Sequence, residues 1–363
     1  MARIQEIDKN LAHAEVKDGL RFYDVRKAPF SLHGLYKPET PGLFRRCPEE
    51  VAAASDPGVL FLHTNTTGAR VRFRTDSRTI AIRASEPTFC CMPHQAVTGS
   101  SGFDLYGDGE YYKTFVPPID YQGGFMPHFS MEGGYETQNV FPEKKMREIM
   151  IHFPTYNDVT DLFVGLEEDA ILEAATPYAL EKPIVFYGSS ITHGCSATKP
   201  GNTYPNLLSR WLNADILNLA FSGNCRAQDA MSEYISTLDM SAFVYDYDHN
   251  APDAAFLKRT HEKLFLHLRE KQPELPVIFA SKPGPEYDPE GMLRRDIILE
   301  TFQNAQARGD RNVYFVDGAT MFDLLDRSAC TVDGAHPTDL GFYCMAKAFE
   351  PVLREILFGE STK

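Results

Sequence analysis

Pro183–Gly194 reads PIVFYGSSITHG. Four apolar residues, Ile184–Tyr187, run into a glycine and two serines. A short apolar run closed by turn residues is the mark of a strand buried on both faces. The same grammar recurs downstream. "DILNLAF" (Asp215–Phe221), "AFVYDY" (Ala242–Tyr247), "PVIFAS" (Pro276–Ser281) and "VYFVDG" (Val313–Gly318) read as four more strands. Helical windows separate them: "TYPNLLSRWLN", "AQDAMSEYISTL", "DAAFLKRTHEKLFLHLREKQ" and "RRDIILETFQNAQARG", with "LGFYCMAKAFEPVLREIL" closing the series. In the third of these, Phe256, Leu257, Leu264 and Leu268 share one face. Regular alternation of strand and helix predicts an α/β class, a parallel doubly wound sheet with helices on both sides, over residues 182–360.

Residues 1–178 follow another grammar. "ARVRFRTDSRTIAIRAS" (Ala69–Ser85) alternates Val71 and Phe73, then Ile80 and Ile82, around a turn at Asp76-Ser77, and predicts a hairpin. "GFDLYGDGEYYKTFVPP" and "MREIMIHFPTY" continue short strands broken by Gly and Pro. Strands at this spacing with few helical windows predict a β-sandwich of jelly-roll type.

The bulk composition is that of a globular protein: 363 residues, 43% hydrophobic and 24% charged. The formal net charge of −14 argues against nucleic-acid backbones and anionic membranes as partners. Cys47, Cys90, Cys91, Cys195, Cys225, Cys330 and Cys344 make an odd set with no C-x-x-C spacing, so free thiols in a reducing compartment are expected. The first twenty residues lack an apolar core for a secretion signal, and no apolar run reaches the length of a membrane span. A cytoplasmic location follows as an expectation, and the Asn65-Thr66-Thr67 sequon carries no weight there.

In an open parallel sheet, ligands bind beyond the carboxyl ends of the strands. Four such ends carry polar residues. Ser189 and Ser190 follow Gly188, near helix N-terminal amides that stabilise negative charge; one serine could equally cap the helix. Gly223 in "LAFSGN" lets backbone amides approach a ligand, or simply turns the chain. Asp246, Asp248 and Asn250 alternate in "FVYDYDHNAP", as at the start of a calcium loop. A calcium loop needs Gly at its sixth position and Glu at its twelfth. Counted from Asp246 these are Ala251 and Leu257, so the calcium reading fails. Finally, Asp333 and His336 stand three apart in "TVDGAHPTDLG", where the acid could orient the ring, or where Asp333 or Thr338 could cap a helix. Together they supply what acyl transfer needs: a nucleophile, a base and small or amide groups for an oxyanion. The G-x-S-x-G elbow of α/β-hydrolases is absent, since Ile191-Thr192 follow Ser190.

These stretches resemble the SGNH (GDSL-like) hydrolases. Gly188-Ser189-Ser190-Ile191-Thr192 is similar to that family's first block, G-D-S-[IL]-[TS], with Ser190 at the serine and Ser189 in place of aspartate. Gly223 matches the glycine of block two, and Asp333-Gly334-Ala335-His336 matches the D-x-x-H of block five. Asn250 matches block three without the glycine that normally precedes it. Gly102-Phe103-Asp104-Leu105-Tyr106 resembles the namesake motif of the branch with an N-terminal GxDLY β-domain; His193 stands where glutamine is expected in that branch. The resemblance implies a flavodoxin-like three-layer α/β/α hydrolase domain and an ester hydrolase with no metal or cofactor. Ser190 would attack the acyl carbon, His336 would move the proton, and Asp333 would hold His336. The amides of Ser190 and Gly223 and the side chain of Asn250 would form the oxyanion hole.

By analogy with relatives carrying an appended β-sandwich, the substrate expected is an O-acetyl or other short acyl ester of a sugar, an oligosaccharide or a small metabolite. The aromatic stretches "DLYGDGEYYKTF" and "DYQGGFMPHFSMEGGYE" could line a sugar site or belong to the sandwich and its loops. Two alternatives stand beside hydrolysis: an acyltransferase using the same residues, and a non-catalytic carbohydrate-binding protein. A homo-oligomer is left open.

Overall fold

The alternating segments of the first half build two antiparallel sheets. In the computed structural model, which describes residues 16, 18–90, 92–118, 134–323 and 326–360, one sheet runs in the order β1 (Leu20–Asp24), β9 (Asp161–Glu167), β4 (Thr79–Ser85), β7 (Tyr135–Val140). The other runs β10 (Leu172–Glu173), β3 (Arg70–Thr75), β8 (Arg147–His152), β5 (Phe103–Gly107), β6 (Glu110–Phe115), with β2 (Ser31–His33) also on β3. Val71 and Phe73 of one sheet meet Ile80, Ile82 and Val164 of the other in a single core. This is the expected sandwich, with one correction. The Ala69–Ser85 stretch is not a hairpin: β3 pairs with β8 while β4 pairs with β7 and β9. Alternation identifies the inward face but not the neighbour. The two strands face each other across the core rather than side by side. A true hairpin joins β5 and β6, through Asp108 (φ 52°) and Gly109.

One segment of this half belongs elsewhere. Two short helices, α1 (Glu49–Ser55) and α2 (Pro57–Leu62), leave the sandwich, whereas the one-turn α3 (Val97–Ser100) runs into β5. Cys47, Ala52, Val59 and Leu62 pack with Tyr187, Leu219 and Phe221 in the core of the second half. The seam is held by buried Arg46. It donates to the carbonyls of Asn65 (2.6 Å) and Leu62 (2.7 Å) on one side, and of Asn218 and Ala220 (both 2.7 Å) on the other. Asp104 of the GxDLY motif adds a second stitch, accepting Thr114 Oγ1 at 2.6 Å and the Gly201 N–H at 2.7 Å. Leu105 of the motif fills the sandwich core, and the Arg210 guanidinium lies 4.4 Å from the Tyr106 ring centre. The motif is therefore a docking device.

The second half forms one parallel sheet, ordered β12 (Ile216–Asn218), β11 (Ile184–Gly188), β13 (Ala242–Asp246), β14 (Val277–Ala280), β15 (Val313–Val316). Order 2-1-3-4-5 is the flavodoxin-like winding, with a topological switch point beside β11. Val185, Tyr187, Phe243 and Tyr245 face one helical layer, α6 (Asp229–Ser236), α7 (Ala254–Lys271) and α8 (Gly291–Ala307). Ile184, Phe186, Ala242 and Val244 face the other, α5 (Tyr204–Leu212) and α9 (Asp339–Phe358). Burial on both faces explains why these strands read as continuous apolar runs. Cys47, Cys195, Cys225, Cys330 and Cys344 carry free thiols. Asn65 of the sequon is buried, its amide bonded to Asp158 Oδ1 at 3.0 Å. Among the described residues, no helix is long and apolar enough to cross a membrane.

Candidate active site

β11 ends at Gly188, and the short helix α4 (Ser190–His193) begins two residues later. Ser189 caps it, accepting the Ile191 N–H at 3.2 Å, so Ser190 occupies the first helical position with its hydroxyl free of capping duty. Gly188 is needed for space. A Cβ there would lie 1.8 Å from Asp246 Oδ1 and 2.2 Å from Thr192 Oγ1. The Asp246 carboxyl thus presses directly on the serine turn, accepting Thr192 Oγ1 at 2.6 Å and the Tyr204 hydroxyl at 2.9 Å. Burial outweighs these bonds and pushes its pKa up to about 8.

Ser190 Oγ lies 2.8 Å from His336 Nε2, and His336 Nδ1 lies 2.7 Å from Asp333 Oδ2. The loop wraps around its own acid: Asp333 Oδ1 accepts the N–H groups of Ala335 (3.0 Å) and His336 (2.8 Å). The Val332 N–H donates to the His336 carbonyl at 3.0 Å and closes the loop. Thr338, not Asp333, caps the following helix. With Nδ1–H given to Asp333, Nε2 turns its lone pair to the Ser190 hydroxyl. Against its desolvation, bonds from His336 and the loop amides hold Asp333 at about 2. The Cys195 thiol first, then Asp333, outweigh burial and push His336 up to about 9. His249, ring to ring 6.4 Å from His336, is pushed down to about 4 by burial and by the charges of Lys282 and His336.

Block two and block three residues meet here too. Gly223 has φ +73° with open space around it, so this glycine serves the left-handed backbone. Its N–H has no protein acceptor among the described residues. Asn250 sits in the 3₁₀ turn Asp248–Asn250 and donates one amide N–H to the Phe221 carbonyl at 3.2 Å. A side-chain amide has two such donors, so one N–H remains. The first-turn amide of Ser190 has no partner within its own helix. Asp248 turns away, with Oδ2 accepting the Lys282 N–H at 3.1 Å, and burial pushes its pKa up to about 6. Asp246 and Asp248 belong to no metal-ligand cluster among the described residues.

His193, the departure from the branch pattern, is a bridge between the halves. Nε2 donates to the Thr155 carbonyl at 2.9 Å, and Nδ1 accepts the Ser222 N–H at 3.4 Å. Its ring stacks on Tyr156 at 4.2 Å, and burial drives its pKa well down. It holds the Ser190 turn and the Gly223 turn against the sandwich. Sequence reasoning missed the sandwich's contribution to this region. His94 comes to 3.2 Å from Cys195 Sγ, and Gln95 Nε2 donates to the Ala197 carbonyl at 3.2 Å. "CCMPHQ" carries no motif, so no signal marked these residues. Of the aromatic stretches, Tyr106 is buried in the seam, and Lys199 lies 3.2 Å from the Tyr111 ring centre. Most of "DYQGGFMPHFSMEGGYE" falls outside the described residues.

Residues 181–354 match the family model described as "GDSL-like Lipase/Acylhydrolase family", and residues 20–172 match the GxDLY model, "N-terminus of Esterase_SGNH_hydro-type". No curated protein matches the chain. Among solved structures, a protein of Bacteroides ovatus described as a GDSL-like lipase shares 26% identity at TM-score 0.76, over 93% of this chain and 98% of its own. The salicylyl-acyltransferase SsfX3 of a tetracycline biosynthetic pathway shares the fold at 20% identity and TM-score 0.72, over 92% of this chain and 96% of its own. So does a family two carbohydrate esterase from Clostridium thermocellum, at 15% and 0.63, over 91% and 98%. With both halves matched, the protein is an esterase of the GDSL-like lipase/acylhydrolase family, its hydrolase domain preceded by a GxDLY domain.

Proposed function

We propose that the protein removes a short acyl group, acetyl foremost, from an acylated carbohydrate or small metabolite through an acyl-enzyme on Ser190. The observation that carries this reading is the continuous chain Ser190–His336–Asp333 at 2.8 and 2.7 Å. His336 Nε2 takes the hydroxyl proton as Ser190 Oγ attacks the acyl carbon. It returns that proton to the leaving alcohol, then activates water for the second half. Asp333, ionised across the working range, holds the ring and stabilises its cation. The Ser190 and Gly223 amides and the free N–H of Asn250 stabilise the oxyanion; losing one such donor costs roughly 10²–10³ in kcat. The carbohydrate alcohol rests on fold analogy with the carbohydrate esterases. Acetylated sugars and p-nitrophenyl esters of increasing acyl length test the proposal. Hydrolysis should be fastest at two carbons and fall to background in Ser190→Ala. An active Ser190→Ala variant sinks it.

A second reading, acyl transfer to an acceptor alcohol, is kept by the closer overlay of the acyltransferase (0.72) than of the Clostridium esterase (0.63). Product masses with and without added alcohol acceptors separate the two.

A further inference from the structure

Beside the Ser190–His336 pair stands a group of side chains that ester hydrolysis does not require. His94, Cys195 and His336 each offer one donor atom, and the three atoms lie within 4.8 Å of one another. Cys195 Sγ is 3.2 Å from His94 Nε2, and the rings of His94 and His336 are 5.3 Å apart. The donors come from three segments: a loop of the sandwich half, the turn after α4, and the loop before α9. Gln95 ties the first two together, accepting the Ser196 N–H and donating to Ala197.

Two imidazoles and a thiol suit zinc-class cations, not the oxygen-seeking calcium or magnesium. Bonds of about 2.0–2.3 Å around a tetrahedral zinc put its donors roughly 3.3–3.7 Å apart. His94 Nε2 and Cys195 Sγ already stand 3.2 Å apart, and the third donor lies within 4.8 Å of both; His94 is half-buried on its loop. The supporting contact is already built. Asp333 holds Nδ1 of His336 and leaves Nε2 as the donor, the carboxylate–histidine pairing that orients metal-bound imidazoles.

We propose that His94, Cys195 and His336 form a binding site for a soft divalent cation of the zinc class, and that filling it silences the esterase. The metal takes the same Nε2 lone pair that Ser190 needs, so occupancy and proton transfer exclude each other. On binding, the Cys195 thiol proton leaves to solvent and a sulfur–metal bond replaces it; below about pH 9 the Nε2 proton of His336 leaves to solvent as well, and a nitrogen–metal bond replaces it. Both imidazoles bind neutral, and water or Ser190 Oγ fills the fourth position. The silencing rests on the role proposed for Ser190 and His336; the binding does not.

Titration of the purified full chain with Co²⁺ tests the site. The expected result is a sulfur-to-cobalt charge-transfer band that saturates at one equivalent and is displaced by Zn²⁺. The hydrolysis rate should fall in step with occupancy and return on adding chelator. Cys195→Ser should lose the band, and His94→Ala should raise the zinc concentration for half-inhibition by about 100-fold, each read against its own metal-free rate. Should Cys195→Ser not fold, His94→Gln takes its place, with the band expected to saturate only at a raised Co²⁺ concentration; an unchanged titration overturns the proposal. A band that survives Cys195→Ser, or full activity at full occupancy, overturns the proposal. No band together with an inactive Ser190→Ala refutes this site and leaves the hydrolase reading intact. A band together with an active Ser190→Ala does the reverse.

Discussion

Two carboxylates flank the Ser190 turn and end in opposite states. Asp333, on the loop before α9, is partly exposed and ringed by the imidazole and two amides, which hold it at about 2. Asp246, at the end of β13, is buried against neutral hydroxyls and is pushed up to about 8. Both lie within a few residues of a family motif, and both touch the turn or its partner. The difference shows that the balance between burial and a charged partner, not proximity, decides which acid can support a cation. Asp333 can; Asp246 is a polar wedge that shapes the turn.

The comparison breaks most easily at Asp333. Asp333→Asn should cost roughly 10⁴ in kcat with KM little changed, because the ring loses its orientation and counter-charge. Stopped assays on purified variant, with melting curves to show an intact fold, check this. Next comes the wedge. Gly188→Ala drives a methyl into Asp246, and should cost about 3 kcal/mol of stability or more by overpacking, read as a lower denaturant midpoint.

The two acids should also give stability opposite slopes with pH. Asp246 has a folded pKa raised from 3.8 to about 8. Its contribution is fully present below pH 3.8 and is lost as pH rises through about 8. Asp333 has a folded pKa lowered from 3.8 to about 2, so its contribution is present above 3.8 and lost as pH falls through about 2. The pH dependence of the melting temperature should flatten between about pH 4 and 8 in Asp246→Asn and between about pH 4 and 2 in Asp333→Asn. Equal slopes in both variants would remove the distinction. The smallest effect is expected at Cys195. Activity needs neutral His336, so kcat/KM should rise with pH toward a midpoint near 9. Cys195→Ala removes the largest upward influence and should move that midpoint down.

What could be read in the sequence was what is local. Ser190, Gly223 and Asn250 follow closely on β11, β12 and β13, whose ends were marked by apolar runs closed by glycine or polar residues, whereas Asp333 and His336 lie on the loop before α9, well past β15, and were marked only by their own three-residue spacing. The parallel sheet followed from the same runs. The Ala69–Ser85 pairing was misread because alternation reports a face, not a neighbour, and two facing strands of a sandwich alternate alike. The α1–α2 segment escaped because Ala52, Val59 and Leu62 look like any small apolar set; only the folded chain shows that they cap the other half's core. His94 and Cys195 escaped for a related reason, since 101 positions separate them. The spacing of Asp246, Asp248 and Asn250 suggested a shared ligand face, but β13 stops at Asp246, and each side chain then takes its own partner.

Every hydrogen bond that Arg46 makes across the seam goes to a main-chain oxygen. A guanidinium that reads carbonyls is blind to the side chains carrying them. The positions it holds, Leu62, Asn65, Asn218 and Ala220, are therefore free of any identity requirement from this contact. Arg46 has no such latitude, because its loss would strand four buried acceptors at once. The joint can thus tolerate divergence at the four positions Arg46 holds, and with Asp104 and His193 bridging beside it the two halves should melt together rather than in turn.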